Sequence, residues 1–201
     1  MAAHKLPRLK IAAHAAALTP LAVLAFQYWH GGLGPDAVGE TIRRTGRYAI
    51  VLLILSLVPT AVKLITGSGL LLKIRRILGL YAFGYVILHL VAFAWLDYGL
   101  DLQFLLPALV SGRRTLAGLS SLVLLVPLAI TSTTWWIRRL GKNWGRLHRL
   151  TYVASALAVL HYAWTFKEWR VAPTAAGVIL LLLLAVRLPP VAGLLARWRG
   201  R

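Results

Sequence analysis

Residues 75–95 read RRILGLYAFGYVILHLVAFAW: two arginines, followed by about twenty residues with no charge and a single imidazole, His89. An apolar run of that length is what an α-helix needs to cross the ~30 Å hydrocarbon core of a bilayer. The chain contains six such runs, which predict six transmembrane helices. They lie at residues 11–29, 48–65, 77–95, 115–136, 147–166 and 171–189.

The composition excludes an ordinary soluble domain. Of the 201 residues, 59% are hydrophobic and 14% are charged, whereas about a quarter of the residues in soluble domains are charged. The loops are too short for a second domain, and no internal repeat of solenoid length is visible. We therefore predict an all-α integral membrane protein in which residues 1–201 form one transmembrane domain, a six-helix bundle.

The distribution of charge predicts the orientation of this bundle. The 23 Lys and Arg residues outnumber the 5 Asp and Glu residues, giving a net charge of +18, but the charges lie between the apolar runs. Basic loops stay in the cytoplasm. With the N-terminus inside, sixteen basic residues, Arg201 among them, and no acid fall on the cytoplasmic side, while seven basic residues and all five acids, including Lys167 and Glu168, fall outside. Both termini are predicted to be cytoplasmic.

The chain has no cysteine. This excludes disulfides, cysteine-ligated zinc, iron–sulfur clusters and the covalent attachment of a c-type haem. Any metal has to be bound by histidine, by carboxylate or within a cofactor.

Two histidines are predicted to lie at equal depth in the membrane. His89 follows Arg76 by thirteen residues, and His161 follows His148 by thirteen residues, in spans of the same direction. At ~1.5 Å rise per residue, His89 and His161 lie roughly 20 Å from the basic residues. Two imidazoles so placed can bind one haem iron from its two faces. The alternative is a pair of polar side chains that hydrogen-bond between helices.

His148 does not share a helix face with His161, because thirteen residues rotate a straight helix by about 220°. Either the helix is distorted, or His148 serves a second haem, a flavin, a quinone headgroup or interfacial water. Arg75 and Arg76 are candidate partners for haem propionates or a flavin phosphate. The positive-inside rule also explains these arginines without a ligand.

Several motifs resemble those of a known family. They are RRILGLYAFGY at 75–85 with Leu88-His89, Thr131-Ser132, RRLG at 138–141, Trp144, LHRL at 147–150, Tyr152 and HYAW at 161–164. Together they resemble the haem-binding membrane subunits of protein-methionine-sulfoxide reductase systems, the MsrQ or YedZ family of the ferric-reductase-like transmembrane group. The resemblance covers residues 46–167, which it identifies as a haem-binding core.

The resemblance implies an electron-transfer subunit in the bacterial inner membrane. Such a subunit binds b-type haem, with FMN as a further cofactor, and takes electrons from the quinone pool or a cytosolic flavin reductase. It passes them to a periplasmic molybdopterin-containing catalytic subunit that repairs methionine sulfoxide in oxidised proteins, and it does not itself reduce the sulfoxide.

The resemblance also implies His89, His148 and His161 as iron ligands. The larger ferric reductases and NADPH oxidases use two histidines in each of two spans, but here Arg75 and Arg76 occupy the inner position of the third span. An outer haem on His89 and His161 is therefore expected. An inner haem would require His148 and an unusual ligand.

Three alternatives remain open. One is a transmembrane reductase for ferric iron or another acceptor. The second is a cofactor-free transporter with a histidine proton relay, against which stand the lack of a visible paired repeat and of intramembrane carboxylates. The third is a structural membrane protein.

Overall fold

The computed structural model describes residues 2–166 and 170–199, and over these residues every regular element is a helix. A π-helical turn, Ala92–Asp97, extends α3. Lys167 and Glu168, predicted outside, and Arg201, predicted inside, lie beyond the described residues. The helices are α1 (Ala2–Trp29), α2 (Ala37–Thr66), α3 (Leu72–Val91), α4 (Leu102–Val110), α5 (Arg113–Ile130), α6 (Thr134–Leu140), α7 (Lys142–Leu147), α8 (Leu150–Ala163), α9 (Val171–Ala185) and α10 (Pro189–Arg199).

Within residues 2–166 and 170–199, four helical segments are long and apolar enough to cross a membrane. They are Leu6–Trp29, Ala37–Thr66, Leu72–Asp97 and Arg113–Ile130, and α9 with α10, bent by 69°, brings the number to five at most. The prediction of an all-α membrane protein is therefore confirmed. The prediction of six spans is not, because α8 has only 14 residues. Six spans and cytoplasmic termini stay predictions.

The fourth predicted span, 115–136, is broken in the structure. Helix α5 ends at Ile130, where the hydroxyls of Thr131 and Ser132 donate to the carbonyls of Pro127 and Leu128 at 2.6 and 2.7 Å. These bonds compete with continuation of the helix. The indole Nε1 of Trp144 then donates to the Thr131 carbonyl at 2.9 Å. Hydropathy does not predict this break, because Trp135 and Trp136 after it continue the apolar run.

Two helix pairs form the core of the bundle. Helices α2 and α3 make the most extensive contact, and α5 and α8 make the next. Small residues allow the close approach, since Ala82 on α3 and Ala154 on α8 are fully buried. Helix α1 lies against α3, where the Tyr85 hydroxyl donates to the Ala17 carbonyl at 2.7 Å. His14 of α1 also hydrogen-bonds the Tyr81 hydroxyl of α3, at 2.9 Å.

An acidic and basic cluster stands at the start of α2. Asp36 caps the helix by accepting from the Gly39 backbone N–H at 2.9 Å, and it pairs with Arg43 at 3.0 Å. The Gly39 N–H and the Arg43 guanidinium hold the pKa of the Asp36 carboxyl below its usual value. Glu40 accepts from Arg43 at 2.9 Å and from Arg44 at 2.6 Å. This end of the bundle is the one predicted to face outward.

Candidate functional site

The rings of His89 and His161 face each other across the centre of the bundle. Their centroids are 6.1 Å apart and their planes are inclined by 79°. His89 belongs to α3, which packs mainly on α2, and His161 belongs to α8, which packs mainly on α5. The two rings therefore meet in the space between the two helix pairs, at the matched depth that their spacing predicts.

Both imidazoles are held by a backbone carbonyl of the neighbouring helix. The Nδ1 of His89 lies 2.9 Å from the Ile42 carbonyl oxygen, and the Nδ1 of His161 lies 2.9 Å from that of Arg114. A carbonyl only accepts, so each Nδ1 carries the proton. In a neutral imidazole this leaves the Nε2 lone pair free to bind a metal.

The separation of the two rings fits a shared iron. With metal–nitrogen bonds of about 2 Å and ring nitrogens about 1 Å from the centroid, imidazoles on opposite sides of one metal have centroids roughly 6 Å apart. The observed 6.1 Å matches this value. Among the described residues, no three His, Asp or Glu side chains cluster as a metal site. Two histidines suffice for haem, because the porphyrin supplies the other four nitrogens.

Two glycines make room for these histidines. A Cβ at Gly46 would lie 3.0 Å from the Nδ1 of His89, and a Cβ at Gly118 would lie 2.7 Å from the Nδ1 of His161. Contacts shorter than 3.0 Å are essentially not seen for a Cβ atom. Sequence reasoning missed both glycines, because each contact joins helices far apart in the chain.

The two halves of this site repeat each other along the chain. The site consists of three pairs of residues, and the two members of each pair are 72 residues apart in the sequence. The pairs are Ile42 and Arg114 (carbonyls), Gly46 and Gly118 (space beside the rings), and His89 and His161 (imidazoles). The buried Ala82 and Ala154 are also separated by 72 residues. The sequence does carry a signal for this repeat, Leu88-His89 and Leu160-His161. It is too sparse to be visible without the contacts.

Arg75, Arg76 and His148 line a different cavity, of about 180 Å³. Trp144, Ser56 and Ser132 also line this basic cavity. The structure therefore brings the three predicted residues together. Arg75 donates to the Thr60 hydroxyl at 3.2 Å, and Arg76 is exposed.

His148 is buried against an aromatic ring, with one nitrogen unused. Its ring stacks on Trp144 with centroids 3.9 Å apart, and its Nδ1 donates to the Trp144 carbonyl at 3.1 Å. Its Nε2 is buried and has no hydrogen-bond partner among the described residues. The helix is interrupted here, since α7 ends at Leu147 and α8 begins at Leu150. The structure therefore contains the distortion that the sequence offered as one explanation for the position of His148.

Known membrane proteins are similar to this chain over most of its length. Residues 45–159 match the family model of the ferric reductase like transmembrane component. A Xanthomonas campestris protein named protein-methionine-sulfoxide reductase heme-binding subunit MsrQ is 44% identical over 181 residues, 87% of this chain and 83% of that protein. MsrQ from Xanthomonas axonopodis is 41% identical over the same shares, and MsrQ from Rhodospirillum rubrum is 40% identical over 90% of this chain and 88% of that protein.

The chain belongs to the MsrQ family. The family resemblance predicted from the motifs is confirmed. The region that matches the ferric-reductase-like model contains His89 and His148 and ends two residues before His161. No solved structure gives a significant match to this MsrQ-family chain.

Proposed function

We propose that this chain is a haem b electron-transfer subunit in which His89 and His161 bind the iron from opposite sides. The adjacent imidazoles carry this proposal, because each Nδ1 donates to a backbone carbonyl, which leaves Nε2 free to bind iron. A bound haem supplies one-electron chemistry within the membrane. The protein supplies the two ligands, fixes their tautomer and keeps them half-buried between the helix pairs.

The partners proposed here follow from the names of the relatives. These are heme-binding subunits of protein-methionine-sulfoxide reductases. We place this chain in a bacterial inner membrane, with six spans, cytoplasmic termini and a haem-binding core over 46–167. It passes electrons from a quinol or a cytosolic flavin reductase to a periplasmic molybdopterin-containing catalytic subunit, which repairs oxidised proteins.

The basic cavity is the proposed point of electron entry. Its two arginines suit an anionic or carbonyl-bearing redox group, and the unpartnered Nε2 of His148 provides a ligand or hydrogen-bond acceptor. The occupants that fit this chemistry are a second haem, FMN and a quinone headgroup. Haem per chain, together with flavin and quinone extracted from the purified protein, distinguishes these three.

Replacement of the facing histidines tests the haem site. We expect His89→Ala and His161→Ala each to abolish the low-spin b-type spectrum in a protein that still inserts into the membrane. Exposed His30 provides the control, and His30→Ala should keep the wild-type spectrum. The measurement is an oxidised-minus-reduced optical spectrum with pyridine haemochrome quantitation. Wild-type haem content in both site variants would disprove the proposal.

The electron acceptor requires a separate assay. The family model is that of a ferric reductase like component, which keeps ferric iron as a second candidate acceptor. Re-oxidation of the reduced haem by the purified catalytic subunit, compared with re-oxidation by a ferric chelate, decides between them. Faster electron transfer to the chelate than to the catalytic subunit would favour the metal reductase.

A further inference from the structure

We propose that Gly46 and Gly118 are positioning residues that fix the orientation and tautomer of the two axial histidines. This inference rests on the proposed haem site. Each glycine lies one helical turn after the residue whose carbonyl holds the imidazole: Gly46 after Ile42, and Gly118 after Arg114. Neither glycine is required by its backbone, since both lie inside helices with ordinary dihedral angles.

Helix geometry explains why the residue four positions later has to be glycine. In an α-helix the carbonyl oxygen of residue i points toward residue i+4 and already accepts its N–H. A second donor has to approach beside residue i+4, where a Cβ normally stands. At Gly46 that atom would lie 3.0 Å from the His89 Nδ1 and 3.1 Å from its Cε1. At Gly118 it would lie 2.7 Å from the His161 Nδ1 and 3.0 Å from its Cε1.

Two other helical glycines, Gly84 and Gly79, do not share this feature. Gly84, on α3, would place a Cβ in open space, and the nearest atom to a Cβ at Gly79 is the Cβ of Ser56, at 4.0 Å. Gly84 also lies on the helix face that exposes Leu80 and Ile87. The close approach to imidazole Nδ1 therefore occurs at the two positions that hold the facing histidines.

The chemical consequence is control of ligand strength. An imidazole whose Nδ1–H donates to a carbonyl is a more basic ligand at Nε2, and loss of such a partner typically weakens metal binding 10- to 100-fold. Weakening the ligand destabilises ferric iron more than it destabilises ferrous iron. The haem midpoint potential should therefore rise. A methyl group at Gly46 or Gly118 would push the ring away from its carbonyl and produce both effects.

The test compares Gly46→Ala and Gly118→Ala with Gly84→Ala as the matched control. We expect haem affinity to fall roughly 10- to 100-fold in the two site variants, with the larger loss at Gly118, where the contact is shorter. The midpoint potential should rise, and the low-spin ferric EPR signal should shift as the ring planes turn. Gly84→Ala should keep the wild-type values and be slightly more stable, because alanine favours a helix over glycine.

The outcomes separate this inference from the haem proposal. Loss of haem in the histidine variants, with wild-type affinity, potential and EPR signal in both glycine variants, overturns the positioning role and leaves the haem site intact. Wild-type haem in the histidine variants overturns both. The wild-type holoprotein gives a second readout that needs no folded variant: ¹⁵N NMR in the diamagnetic ferrous state should show exchange-protected Nδ1 protons on His89 and His161. Absence of those protons also overturns the inference.

Discussion

His148 differs from His89 and His161 in what its ring atoms contact. Its Nδ1 donates to the carbonyl of Trp144, four residues earlier in the sequence. The Nδ1 atoms of the other two histidines donate to carbonyls of a different helix. Its buried Nε2 has no partner among the described residues. A buried nitrogen without a partner destabilises a fold, which supports the ligand proposed for the basic cavity.

We expect His148→Leu to leave the fold intact and to slow electron entry. The variant loses the Nδ1 hydrogen bond to Trp144 together with the unpartnered nitrogen, so the free energy of unfolding should change by no more than about 1 kcal/mol. The haem on His89 and His161 should remain, while its reduction by quinol or reduced flavin should slow by about 10-fold or more. Stopped-flow absorbance measures the rate, with dithionite as the control reductant. Unchanged reduction by both donors would contradict a role for the basic cavity.

The sequence predicts part of the site at this scale. Helical rise is regular, so the spacing of His89 from Arg76 and of His161 from His148 gives the depth at which the two rings meet. The carbonyls and glycines that hold the rings are not predictable in this way. Their role depends on which helix packs beside which, and no local pattern encodes that choice.

At the scale of helices, a buried hydrogen bond helps to attach α1 to α3, in addition to the exposed contact between His14 and Tyr81. Tyr85 is only 2% exposed, and its hydroxyl donates to the Ala17 carbonyl at 2.7 Å. A hydrogen bond between membrane helices contributes about 0.6 to 1.5 kcal/mol. This contact lies one helical turn before His89, so it also supports the helix that carries a haem ligand.

We expect Tyr85→Phe to lower the free energy of unfolding by about 1 kcal/mol, because the ring still fills its space and only the hydrogen bond is lost. Unfolding in mixed micelles of increasing SDS content measures the change. Tyr28→Phe, at the exposed end of α1, is the control and should have no effect. An equal loss in both variants would show that the Tyr85 hydroxyl contributes nothing specific.

Hydropathy predicts the long helices better than the short ones. The second and third predicted spans correspond to α2 and to α3 with its π-helical turn. The fourth is interrupted at Thr131, because hydroxyl groups compete for the backbone carbonyls there. The fifth is shortened to α8 by the break at His148. Both breaks adjoin the basic cavity, which Ser132, Trp144 and His148 line.

At the scale of the whole molecule, the orientation is open to a direct test because the chain has no cysteine. We expect Ser111→Cys, in the exposed link between α4 and α5, to react with a membrane-impermeant maleimide on intact spheroplasts. Ser68→Cys, in the exposed turn after α2, should react only after permeabilisation. The unmodified chain is the blank. Labelling of both positions from the same side would disprove the predicted topology.

The 72-residue offset has a consequence for how the two ends of the molecule differ. A helix pair such as α2 and α3 carries half of a two-imidazole site, and two identical copies related by a twofold axis would complete it. In such a homodimer every substitution would occur twice. In the single chain the two halves differ, since Arg76 lies 72 residues before His148. One end therefore carries a matched pair of imidazoles, while the other carries an arginine and a histidine, so the two ends can bind different groups.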